Sequence, residues 1–142
     1  MGFKKILVPT DGSRSMDVAV DVAISLAKLS EGRITALYVL DQTVYSNMPM
    51  DTSVVNVYGS LEKEGKSTTE DIRSRCKVAE VPSDVQMIEG IPASVINKMS
   101  DDYDIIVMGT LGRTGMEKVL MGSVAEKVIE GSSCPVMVVH TS

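Results

Sequence analysis

The chain has 142 residues, 44% of them hydrophobic and 23% charged, which suits one domain over 1–142 with one sizeable core. A formal charge of −5, a single Phe and no Trp argue against a broad nucleic-acid surface, which needs cations and aromatic platforms. No apolar stretch approaches the roughly 20 residues of a membrane span, and Pro9, Asp11 and Gly12 cut the first apolar run too early for a signal peptide. No membrane or nucleic-acid partner is therefore expected, and the cytoplasm is the expected address.

Lys4 to Pro9 reads as a buried strand that stops at the turn cluster Thr10-Asp11-Gly12. Ser13 to Ser30 then carries a helical period. Met16, Ala19, Val20, Ala23 and Ala27 share one apolar face, which Val22, Leu26 and Leu29 widen, and Gly32 provides the stop. Arg33 to Leu40 reads as a second strand. Asp41 to Ser53 has no clear period. A helix follows in which Val54, Tyr58, Leu61, Gly65, Thr68, Ile72, Cys76 and Ala79 lie on one face.

Ser83 to Glu89 alternates like a strand, and Pro92 suits the first turn of a short helix towards Ser100. Tyr103 to Met108 and Pro135 to His140 complete five strands. Helices alternating with near-continuous apolar strands imply right-handed crossovers and a parallel sheet covered on both faces, a doubly wound α/β fold. In such a fold ligands sit beyond the carboxyl ends of the strands, where strand order reverses. The turn after strand 1 and the loop after strand 4 both lie at that edge.

The loop after strand 4 carries the chemistry. Gly109, Gly112, Gly122 and Ser123 stand at the spacing G-x2-G-x9-G-S, between an apolar strand and the helical stretch Val124 to Ile129. Glycines let backbone N–H groups approach an anion, and a helix N-terminus adds unpaired donors with a partial positive charge. The pattern predicts a phosphate cradle. Ser123 to Glu126 also reads as a capping box, S-x-x-E, which uses the same donors. Arg113 adds a candidate charge contact to phosphate or is merely solvated. Asp11 offers an acceptor to a ribose hydroxyl or an exocyclic amine, or else caps the helix expected near Ser13.

Neither a Walker A loop nor the dinucleotide fingerprint is present, so hydride transfer is disfavoured. Cys76 and Cys134 have no metal or redox spacing and read as buried or half-buried thiols. His140 has no adjacent nucleophile to activate. With no carboxylate pair beside a His, no metal cluster and no G-x-S-x-G elbow, no catalytic residue and no protein metal site is nominated.

KILVPTDGS, DIIVMGTLGRTGMEKVLMGSVAEKVI and CPVMVV resemble the universal stress protein family over essentially the whole chain, with the glycine spacing of its ATP-binding branch. The resemblance implies a five-stranded parallel sheet of order 3-2-1-4-5 and a homodimer paired through the last strand, Val136 to Val139. It implies that Pro9, Thr10 and Asp11 border the adenosine and that the backbone of Val39 meets the adenine edge. Met108, Gly109, Gly112 and Arg113 would line the ribose and phosphates, and Gly122, Ser123 and Val124 would hold the phosphate tail, with Mg²⁺ or Mn²⁺ bridging phosphate oxygens. Leu111 departs from the polar or basic residue common there. The expected function is ATP binding in a regulatory stress response with at most slow hydrolysis. A nucleotide-independent interaction protein acting through its dimer surface and the Asp41 to Ser53 loop is the alternative, and an enzyme cutting at the α-phosphate a more distant one. That loop could equally be a lid over the nucleotide.

Overall fold

The computed structural model describes residues 2–13, 16–110 and 122–140. Five strands, β1 (Lys5–Thr10), β2 (Arg33–Asp41), β3 (Ser83–Gly90), β4 (Ile105–Gly109) and β5 (Val136–Val139), form one sheet of order β3-β2-β1-β4-β5. Every pairing is parallel. The helices are α1 (Met16–Ser30), α2 (Thr52–Val78), α3 (Pro92–Met99) and α4 (Ser123–Gly131). From β1 the chain steps through β2 to β3 at one edge, then returns to β4 and β5 on the other side. With right-handed crossovers this reversal puts α1 and α2 on one face and α3 and α4 on the other. Arg75 of α2 links to Asp17 and Asp21 of α1, as a shared face requires.

The three central strands are apolar because both faces are covered. Ile6, Leu7, Val8, Ile34, Ala36, Leu37, Ile106 and Val107 are all fully buried. Met16, Ala19, Val20, Ala23 and Ala27 of α1 pack there as the helical period predicts, whereas Leu29 is 85% exposed. At about 100° per residue Leu29 stands about 200° around the helix from buried Ala27, on the side turned away from the sheet. The described part of the helix begins at Met16, whose N–H bonds to the Ser13 C=O at 3.2 Å, and residues 14 and 15 lie outside the described residues. It ends in a Schellman motif whose left-handed residue is Glu31 (φ 57), while Gly32 N–H bonds back to Ala27 C=O at 2.9 Å. Glu80 (φ 60) plays the same part after α2, where Val81 N–H reaches Cys76 C=O at 2.8 Å.

On α2 the buried stripe is Leu61, Gly65, Thr69, Ile72 and Cys76, so Thr69 and not Thr68 faces the sheet. Its hydroxyl is satisfied by the Gly65 carbonyl at 2.8 Å. Gly65 is required by close approach: an added Cβ would lie 2.6 Å from the Tyr38 ring and 2.7 Å from Met87 Cε. Cys76 is fully buried and burial above all raises its thiol pKa, in keeping with an inert thiol. Among the described residues no helix is long and apolar enough to cross a membrane.

Candidate functional site

β1 pairs with both β2 and β4, so strand order reverses between β1 and β4, and the carboxyl ends of these strands open into one crevice. After β1 the chain turns sharply. Gly12 N–H donates to Thr10 Oγ1 at 3.2 Å and Ser13 N–H to Asp11 Oδ1 at 2.9 Å. Asp11 therefore braces this turn, and with Gly12 left-handed (φ 85) directly after it, Asp11 does not stand at a helix cap. Gly12 has φ 85, and a Cβ there would lie 2.7 Å from Glu64 Oε1. Glu64 is held in place by the hydroxyl of fully buried Tyr38, 2.8 Å away. The turn bearing Asp11 is thus backed by α2.

After β4, Thr110 N–H donates to Val139 C=O of β5 at 3.0 Å, and Gly122 N–H donates to Thr110 C=O. The two ends of segment 111–121 are consequently one hydrogen bond apart. Gly122 is the N-cap of α4 (φ −72, ψ 158), and its carbonyl accepts the first helical bond, from Glu126 N–H at 3.1 Å. Ser123 is the first helical residue, so the capping-box expectation is corrected: a cap Ser would have to stand one position earlier. Ser123 stands in the first turn of the helix, where backbone N–H groups have no intrahelical partner.

These pieces enclose a cavity of about 330 Å³. Nine of the eleven sequence-predicted ligand residues line it, from four separate segments: Pro9, Thr10 and Asp11; Val39; Met108 and Gly109; Gly122, Ser123 and Val124. Gly112 and Arg113 lie outside the described residues. Asp41, Val44, Pro92, Ile96 and Ala125 also line the cavity and were not singled out in the sequence. Asp41 was within reach of a simple signal. It follows Val39 by two residues, and a strand sends such residues to the same face. Pro92, Ile96 and Ala125 belong to α3 and α4 and Val44 to the turn after β2, and they could be assigned only once the layers were assembled.

Beyond β2 the chain makes a single 3-10 turn, Gln42–Val44, whose cap is Asp41. Asp41 Oδ1 accepts from Thr43 N–H at 3.0 Å and from Thr43 Oγ1 at 2.6 Å. Tyr45 anchors the turn, meeting Tyr58 edge to face with ring centroids 5.6 Å apart, against a small second core of Tyr38, Leu40 and Leu61. Burial first, and the Glu89 carboxylate next, push the Tyr45 phenol up to about 12. The expected irregular loop is thus partly ordered, and Thr52 and Ser53 already belong to α2 after the cap Asp51.

Two charge types face each other across the cavity. The α4 end offers backbone donors, and the β1 and β2 ends offer the acceptors Asp11 and Asp41. That polarity suits an anion at one end and a hydrogen-bond donor at the other. Among the described residues no three His, Cys, Asp or Glu side chains gather as a metal site, and His140 does not line the cavity.

Residues 2–140 match the sequence profile of the Universal stress protein family. Universal stress protein MJ0531 of Methanocaldococcus jannaschii is 37% identical over 139 residues, covering 96% of this chain and 82% of its own length. The solved structure of MJ0577, from the same organism, superposes with a TM-score of 0.88 at 30% identity, over 100% of this chain and 99% of that one. A universal stress protein from Archaeoglobus fulgidus in complex with dAMP gives a TM-score of 0.69 at 20% identity, over 97% and 98% of the two chains.

Proposed function

Given that this chain belongs to the universal stress protein family, we propose that it binds ATP in the cavity at the carboxyl edge of the sheet and serves a regulatory stress-response role in the cytoplasm. One observation carries the reading. Nine residues picked from four distant stretches of sequence line a single cavity, and the N-terminus of α4 stands at one end of it. The α4 N–H groups and the Ser123 hydroxyl suit phosphate oxygens, and Asp11 suits the ribose. The dAMP held by a neighbour of the same fold supports an adenine nucleotide as the ligand class. At 20% identity that likeness is one of fold, so the weight rests on the cavity.

With no gathered metal-ligand set among the described residues, Mg²⁺ or Mn²⁺ fits here only as a nucleotide-borne ion held through phosphate oxygens. Such an ion neutralises phosphate charge, and the chain's own contribution is to bind and orient. No described residue is placed as a general base, so hydrolysis is at most slow.

A thermal-shift titration of ATP, ADP and AMP, with and without Mg²⁺, tests this on the wild type and on Gly122→Val. Ligand at 100 times its dissociation constant adds about 2.7 kcal/mol, a rise of roughly 5–10 °C at this chain length. The expected result is a rise with ATP in the wild type that the variant loses. A nucleotide-free wild type that does not respond would sink the proposal.

The homodimer belongs to the same reading. β5 is an edge strand paired only with β4, and Met137 on it is 37% exposed. Edges of this kind are commonly covered. Sedimentation should show a dimer for the wild type and a monomer for Met137→Lys; an unchanged dimer would place the interface elsewhere.

A second reading has its own observation. Met50 is 95% and Val44 48% exposed within the 41–53 segment, and Val55 just after it is 68% exposed, apolar side chains that suit a protein partner. Partner binding that is equal with and without ATP would favour it.

A further inference from the structure

We propose that Asp41 selects the base of the bound nucleotide, accepting one hydrogen bond from the exocyclic amine of a 6-aminopurine and rejecting a 6-oxopurine. This rests on the nucleotide-binding reading above. The order of strands gives the cavity a direction. The phosphate end is at β4 and α4, where the backbone donors are. β1, with Asp11, is one strand over, and β2 is the next, each step about 4.8 Å. A nucleotide laid along this edge therefore places phosphate at α4, sugar at Asp11 and base at the end of β2. There Val39, Asp41 and Val44 line the cavity, and Asp41 is the polar one among them.

The geometry of Asp41 makes it a selective acceptor. Its Oδ1 is occupied twice, by the N–H and the hydroxyl of Thr43. That double bond to one turn orients the carboxylate. Among the described residues nothing donates to Oδ2, so a single acceptor remains for the ligand. A carboxylate with both oxygens available reads guanine well, since the N1–H and 2-amino groups need two acceptors side by side. Thr43 removes that option. One oriented acceptor matches one amine, whereas a 6-oxo base turns its own carbonyl oxygen towards a carboxylate. Sites that leave a polar group unpaired discriminate far better than sites differing only in shape.

The test compares dissociation constants of ATP, ITP and GTP for the wild type and Asp41→Asn by calorimetry. Asparagine keeps an oxygen for Thr43 and offers an NH₂ group in place of Oδ2, a donor suited to a 6-oxo base. The wild type should bind ATP about 10-fold or more tighter than ITP or GTP. In the variant ATP should weaken while ITP tightens, so the ATP/ITP ratio shifts by about 10-fold or more. Opposed movement of two ligands cannot arise from a general loss of folding. If both ligands weaken by one common factor, or neither changes, Asp41 is not the selector, and nucleotide binding itself stands. If the wild type binds none of the three, the nucleotide reading fails and this inference with it.

Discussion

Two hollows open on this sheet, at opposite ends of its strands. The amino-end groove is lined by Lys5, Arg33, Thr35, Asp84, Asp102 and Tyr103 among others. Its polar groups answer one another. Tyr103 OH lies 3.1 Å from Thr35 Oγ1, Thr35 donates to Asp84 at 2.9 Å, and Arg33 meets the same carboxylate at 3.4 Å. The carboxyl-end cavity presents helix-end N–H groups and an oriented carboxylate towards its interior. Charge content alone does not separate the two hollows. What separates them is a helix N-terminus and a carboxylate whose second oxygen meets no donor among the described residues.

The backbones of the two ends differ in the same sense. At the amino end the left-handed positions are filled by Glu31 and Glu80, residues that pay a conformational cost there. At the carboxyl end, among the described residues, the left-handed position is Gly12, where an added Cβ would be strained and would also crowd the Glu64 carboxylate.

Substitutions can break this contrast. The largest effect is expected from Gly12→Ala. The left-handed backbone and the crowding against Glu64 should lower stability by about 2 kcal/mol or more. The displaced Asp11 turn should also remove the thermal response to ATP. Denaturant melts with and without nucleotide measure both, and a variant as stable and as responsive as the wild type would refute the role given to Glu64. Next comes Thr35→Val, which strips the hydroxyl from the centre of the amino-end network. It should cost about 1–3 kcal/mol and leave the dissociation constant for ATP unchanged. A change in ATP affinity would mean that the two hollows are coupled. The smallest effect is expected from Glu31→Gly, a gain of about 1 kcal/mol with no effect on ligand. A loss of stability there would show that the Glu31 side chain makes a contact worth more than the strain.

Much of this was legible in one dimension. The apolar face of α1 is readable because a helix repeats every 3.6 residues, and Met16, Ala19, Val20, Ala23 and Ala27 all prove buried. The glycine spacing from Gly109 to Gly122 brackets the segment between β4 and α4, and each bracket lines the cavity. Errors fell where the helical period was read too widely. Leu29 lies about 200° around α1 from buried Ala27, outside the buried stripe, and Thr68 and Thr69 are separated by a rotation of about 100° that periodicity alone does not resolve. Ser123 looks like a cap in sequence, but the helix takes Gly122, whose extended backbone was not visible in the residue order.

Strand and helix identity and the parallel sheet were thus legible in local chemistry, since hydrophobic period and backbone freedom act over a few residues. The joining of Asp11, Val39, Gly109 and Ser123 around one cavity was decided by tertiary structure. Sheet order is a matter of which strands bury most surface against each other, across separations of about a hundred residues, and no local pattern encodes it. The part given to Asp41 is of this second kind. Its meaning comes from lying two strands away from the helix proposed to hold the other end of the ligand.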